Sequence, residues 1–140
     1  MRDALNFLTT TSGQALTTAV VSEQDINLAA ADSQVGLSGR QLYVHILVTV
    51  AAGGMASGAR FELVDDSVTI ATGTARVILA SDLLTAANLA AGAHIVFPIP
   101  PGKLQQYFGW MFTPVSEAAT GLTVVSWIDD VAPADLTVVT

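Results

Sequence analysis

The chain has 140 residues, is 51% hydrophobic and only 12% charged, carries a net charge of −7 and contains no cysteine. That is the length of one domain, enough to bury roughly two-thirds of the surface its unfolded form exposes, and without thiols it has no disulfide, thiolate or soft-metal chemistry. Its basic residues, Arg2, Arg40, Arg60, Arg76 and Lys103, form no stripe, which excludes binding to nucleic acid by counterion release and disfavours anionic membranes.

Residues 1–12 read as an N-terminal arm, with Asp3 beside Arg2 and too few apolar residues for a signal sequence. Residues 15–22 and 25–28 read as one or two strands. The clearest element spans residues 40–51, where Leu42, Val44, Ile46, Val48 and Val50 alternate with Tyr43, His45, Leu47 and Thr49. Period two over that length is a strand with one buried face. Strands rich in Val, Ile, Phe, Trp and Thr follow at residues 59–64, 75–79, 94–99, 107–113 and 122–128. Turn residues separate them at 36–39, 53–58, 65–67, 100–103 and 114–121. Residues 81–91 depart from the pattern: Ser81 as N-cap, Asp82 in the first turn and Leu83, Leu84, Ala86, Ala87 and Leu89 after them predict one short helix. Residues 134–140 form a tail.

Two long uncharged stretches, residues 41–59 and 83–102, fail as membrane spans. The first alternates and breaks at Gly53 and Gly54; the second holds Asn88, His94, Pro98, Pro100 and Pro101. About eight short strands at turn-limited spacing predict one all-β domain over residues 1–140, an antiparallel β-sandwich of jelly-roll type. With a mean hydropathy of +0.56, its exterior must also carry apolar side chains, which favours association with other molecules.

No constellation of residues carries catalysis. His45 and His94 could meet across a sandwich, but no Glu stands at cupin-like spacing to either, and both read as ordinary sheet-face histidines with no metal or other cofactor. The pairs Asp65 with Asp66 and Asp129 with Asp130 end predicted strands; lacking a calcium-loop ladder, they read as turn residues. The glycine-rich residues 53–58 lack the lysine a phosphate loop needs and read as a mobile connection. No Gly-x-Ser-x-Gly elbow occurs. Phe108, Trp110 and Phe112 share one strand face, as an interior demands. A carbohydrate-binding, lectin-like module is the alternative, and it requires Trp110 or Trp127 to be exposed.

Several features in order resemble one family: Asp3, Ala4, Leu5 and Asn6 at the start, Asp25 to Leu28, Gln41 to His45, the Asp65, Asp66, Ser67 turn, Thr72 with Gly73, and Ile99, Pro100, Pro101 and Gly102 leading into Tyr107. This arrangement is similar to the jelly-roll cement, or decoration, proteins of short-tailed bacteriophage capsids. Where that family carries basic residues after the Pro-Pro-Gly turn, this chain has Gln105, Gln106 and Gly109. The resemblance implies a virion structural protein and no enzyme, assembled in the bacterial host cytoplasm. It would bind the major capsid protein on the outer surface of the shell and bridge neighbouring subunits. A homodimer or other homo-oligomer is expected from two-fold self-association. The expected capsid or self contacts are Leu5, Phe7 and Leu8 in the first arm and Leu136, Val138 and Val139 in the tail.

Overall fold

A computed structural model describes residues 7–10, 12–27, 41–100, 104–129 and 137–138. Twelve strands are seen among them: β1 (Gln14–Ala15), β2 (Val20–Val21), β3 (Ile26–Asn27), β4 (Tyr43–Val50), β5 (Gly53–Gly54), β6 (Ala59–Asp66), β7 (Arg76–Ala80), β8 (His94–Pro98), β9 (Tyr107–Pro114), β10 (Ala119–Thr120), β11 (Thr123–Asp129) and β12 (Thr137–Val138). Sheet A runs β1-β11-β4-β8-β12; sheet B runs β2-β9-β6-β7, with β3 also on β9. Since β2 pairs Val20 and Val21 with Phe112 and Met111, and β3 pairs Ile26 and Asn27 with Phe108 and Tyr107, the two are successive parts of one edge.

Setting aside the β5–β10 ladder and β12, and counting β2 and β3 as one strand, eight strands remain in chain order. They pair first with eighth, second with seventh, third with sixth and fourth with fifth. The links from β11 to β4 and from β9 to β6 complete two four-stranded antiparallel sheets. This nested pairing is the jelly-roll topology. Alternation fills the space between the sheets. Val44, Ile46, Val48, Ile95, Phe97, Val124 and Ile128 point in from sheet A, and Phe61, Leu63, Phe108, Trp110 and Phe112 from sheet B. Phe61 packs edge-on against Trp110 and tilted against Phe112, with ring centroids 5.7 and 5.2 Å apart.

One polar link crosses this interior. Ser126 lies between Val124 and Ile128 on the inward face of β11, and its Oγ accepts the indole N–H of Trp110 at 2.7 Å. The Ser126 amide donates in turn to Thr9 Oγ1 at 3.0 Å. Buried polar atoms are tolerated because they are bonded to one another.

The predicted helix over residues 81–91 is a single 3-10 turn, Ala86–Leu89. Ser81 does not cap it: its hydroxyl donates to the Asp82 carbonyl and accepts the Phe61 amide. Thr85 and Asn88 form the capping box instead. The segment is held as a sheet-end connection, with Ala59 and Leu84 bridged and the Ala52 amide bonded to the Leu89 carbonyl. Such tertiary bonds override a weak helical pattern. The glycine-rich connection, for its part, contains β5, which pairs with β10.

The N-terminal arm is shorter than expected. The Leu8 amide bonds to the Ser126 carbonyl, the Leu8 carbonyl accepts from Gln24, and the Thr10 amide donates to Glu23 Oε2. Residues 7–10 therefore belong to the domain, and Leu8 is fully buried in its core.

Outside sheet B, Val64, Ile70 and Met111 form a second small cluster flanked by Val21, Ala75 and Tyr107. Gly109 makes it possible. A Cβ there would stand 2.5 Å from Ser22 Oγ and 2.7 Å from Ile70 Cδ1, so the absent side chain lets two neighbours close over the strand. Gly109→Ala is expected to cost about 1–3 kcal/mol by overpacking, read as a lower urea midpoint with unchanged slope.

Candidate functional site

Two clusters of ionisable side chains stand out among the described residues, one on sheet B and one on the outer face of sheet A. The first is structural. Asp65 lies on the interior side of β6, opposite Phe108, and is fully buried. Its carboxylate accepts Arg76 Nε at 2.8 Å and Nη2 at 2.6 Å, and the Gln105 amide at 2.8 Å. Burial pushes this carboxyl up. The Arg76 hydrogen bonds, the Gln105 amide, the Arg76 charge and the Gln105 side chain outweigh it and hold the group below the ordinary carboxylate value. Asp66 accepts the Ser67 amide at 2.7 Å and the Val68 amide at 3.4 Å. Asp66 thus does the turn chemistry expected of the pair, whereas Asp65 does not: β6 extends through it, and it is a buried strand residue paired with Arg76.

The second cluster lies on the outer face of sheet A. Register places Trp127 of β11 beside His45 of β4, His45 beside Val96 of β8, and Val96 beside Val138 of β12. At the other end of the same row, Phe7 bridges to Trp127. Parts of both predicted contact segments are therefore brought to one row across the sheet. Leu5, Leu136 and Val139 lie outside the described residues. Leu8 is no outward anchor, because β11 and the residue 24 turn enclose it in the core.

Within the row the two histidines meet, on one face of one sheet rather than across the sandwich. His45 Nδ1 is 3.0 Å from His94 Nε2, and His45 Nε2 is 2.7 Å from Asp129 Oδ1. The other carboxylate oxygen, Asp129 Oδ2, accepts the Trp127 indole N–H at 2.8 Å. Trp127 stacks parallel on His45 with centroids 5.2 Å apart, and Tyr43 approaches His45 edge-on at 6.4 Å. His45 is only 3% exposed. His45, His94, Trp127 and Asp129 each take part in a further contact beyond these.

The imidazole nitrogen facing His94 and the one facing Asp129 are on opposite edges of the His45 ring, so the three groups do not converge on one point. No group of three or more His, Asp or Glu among the described residues is placed to hold a metal ion. Trp110 and Trp127 are both buried, which removes the exposed ring that the carbohydrate reading requires. Sequence reasoning raised a meeting of His45 with His94, though across the sandwich, and missed Asp129. The signal that would have placed both is strand register, since His94 and Asp129 reach His45 diagonally from two neighbouring strands.

Residues 10–127 match the family model Bbp16. The chain belongs to the Bbp16 family. Bbp16 proteins are phage structural proteins, and the match covers nearly all of the jelly roll, from the strand-anchoring N-terminal residues to Trp127 in the outer row. It indicates no enzymatic family. A search of the curated proteins found no match.

Proposed function

We propose that this Bbp16 protein is a cement, or decoration, protein that binds the outer surface of the major capsid protein shell, bridges neighbouring subunits and stabilises the head. The observation that carries the reading is the family match across residues 10–127, a span that folds as a closed jelly roll. Such a sandwich is a stiff spacer. A shell presents many identical sites, so modest contacts gain avidity through repetition. The outer side follows from charge: a chain at −7 is repelled by packaged DNA.

Contact runs through the chain ends, by Leu5 and Phe7 before the first strand and by Leu136, Val138 and Val139 at the end. Phe7 and Val138 stand at opposite ends of the sheet A row, so both segments address one face. Two-fold self-association would present the arms in pairs. Val50, Val68, Val77, Leu83 and Val115, the large apolar side chains exposed among the described residues, add further greasy surface. Leu83 and Val115 both lie against Gly58 at one end of the sandwich.

The test is cosedimentation of the full chain with purified empty heads that lack it. The expected result is saturable binding at fixed stoichiometry, abolished or weakened more than tenfold when residues 1–6 or 134–140 are deleted. No binding by the full chain would overturn the cement reading. Undiminished binding by both truncations would overturn the role of the arms.

A further inference from the structure

At the edges of sheets A and B among the described residues, β1, β2 and β3 are only two residues long and β8 carries β12. The remaining edge is β7, which pairs with β6 on one side alone. It runs on past the strand: the Ser81 amide donates to the Phe61 carbonyl, and Leu84 exchanges two backbone hydrogen bonds with Ala59. The edge therefore extends from Arg76 to Leu84. Edges are normally blunted by lysine, proline or a covering element, yet Val77, Ile78, Leu79 and Ala80 include neither a charge nor a proline.

Two bulges shape this edge. Leu63 pairs with Leu79 and Val64 with Val77, so Ile78 is an extra residue on β7. Arg60 alone separates Ala59 from Phe61, whereas both Asp82 and Leu83 lie between Ser81 and Leu84, which adds a second extra residue. Ala80 stands midway. Val77 and Ala80 lie opposite Val64 and Glu62, which project outward from β6 because Phe61 and Leu63 point into the core. Leu84 packs on the core opposite Ala59, so Leu83 turns outward, against Gly58. The outer face of the edge thus repeats at every third residue, Val77, Ala80 and Leu83, all three exposed, where a regular strand repeats at every second.

We propose that this edge is the seam of a homodimer, in which β7 of a second copy lies antiparallel on it about a two-fold axis at Ala80. An ordinary strand of period two falls out of step with Val77 and Leu83. A second copy of the same bulged edge, reversed about Ala80, matches it. Val77 then faces Leu83 of the second copy, Leu83 faces the second copy's Val77, and the two Ala80 residues face each other. One operation covers two large apolar side chains that are 47% and 44% exposed in the single chain. The backbone is placed for it: the Ser81 N–H points to β6, so the N–H and C=O of Ala80 point away from β6, toward the new strand. Charge agrees as well. Arg76 and Asp82 are the charged residues of the edge; Asp82 comes opposite Ile78 of the second copy and diagonal to its Arg76, and no like charges are opposed. A two-fold pair uses the same patch on both copies and is closed. This pairing deepens the two-fold self-association proposed with the cement role and rests on that part of it.

The test is sedimentation equilibrium of the full chain as wild type, Val77→Lys, Leu83→Glu and the double variant. Wild type should reach the mass of a dimer and go no higher. Each single variant should dimerise more than tenfold more weakly, because it sets a charge against an apolar side chain. The double variant should associate more tightly than either, since each new cation faces the other copy's new anion. Filtered NMR of a mixture of isotope-labelled and unlabelled wild-type chains should show methyl contacts from Val77 of one copy to Leu83 of the other, and these decide the matter if a variant fails to fold. A monomer at every concentration up to about 1 mM, or a dimer that lacks those methyl contacts, would overturn the seam. Cosedimentation separates it from the cement role: heads bound by a chain that stays monomeric sink the seam alone, and a chain that dimerises through β7 but binds no heads sinks the cement role alone.

Discussion

Trp110→Ala is expected to lower stability by about 3–5 kcal/mol, a large share of the about 5–15 kcal/mol that holds a domain of this kind together. The indole sits at the centre of sheet B between the sheets, fully buried and packed on Phe61. Removing it leaves a cavity that two closed sheets cannot collapse to fill. It also strands Ser126 Oγ, which receives the indole N–H at 2.7 Å between the two sheets. The polar part can be separated from the volume part. Trp110→Phe keeps most of the ring and loses the donor, whereas Ser126→Ala keeps the ring and leaves the donor unsatisfied, at a cost of about 1–3 kcal/mol. Chemical denaturation of the two single variants and the double variant forms a cycle. A double variant no worse than the worse single would show that the link between the sheets acts as one unit.

The core was legible in the sequence because its signal is local. Each long strand shows period two, and residues 40–51, 59–64, 75–79, 94–99, 107–113 and 122–128 correspond to β4, β6, β7, β8, β9 and β11 with ends displaced by a few residues. Phe108, Trp110 and Phe112 were assignable to one face from spacing alone. β5 and β10 escaped because two glycines facing Ala119 and Thr120 have no apolar pattern; their pairing is visible only once β4 and β11 are aligned. Ser126 was illegible for a related reason. A hydroxyl at an inward position contradicts the pattern until the indole of Trp110, sixteen residues earlier, is brought across to it.

The outer site illustrates the same limit. His45 stood on the minority face of a well-read strand, yet its chemistry depends on His94 and Asp129, which are 49 residues away along the chain in one case and on a third strand in the other. Nothing in either local sequence marks them as partners. The jelly-roll nesting puts β8 and β11 on either side of β4, and only that order brings three scattered ionisable residues into contact.

Arg76→Met is expected to destabilise the protein more than Asp65→Asn, although both break the same pair. The asymmetry comes from burial. Arg76 is 53% exposed and Asp65 is fully buried, so loss of the carboxylate returns the guanidinium to water, while loss of the guanidinium leaves an anion inside the sandwich. Removing the partner of a buried charge costs about 3–5 kcal/mol; the asparagine variant, which can still accept the Gln105 amide, should fall nearer about 1–3 kcal/mol. Acid separates the two further. In the native protein the Asp65 carboxyl is held below its ordinary value, so the folded state binds fewer protons than the unfolded one in the acid range. The resulting stability is complete above the unfolded value of about 3.9 and is lost as pH falls through the lower folded value. In Arg76→Met the hydrogen bonds and charge of Arg76 no longer lower the carboxyl, so it moves up and acidification costs the variant less than it costs wild type. Denaturation midpoints measured from pH 7 down to pH 3 should therefore show wild type and Arg76→Met converging, with Asp65→Asn the least pH-dependent of the three. A gap between wild type and Arg76→Met that stayed constant across that range would mean that the guanidinium contributes packing rather than charge.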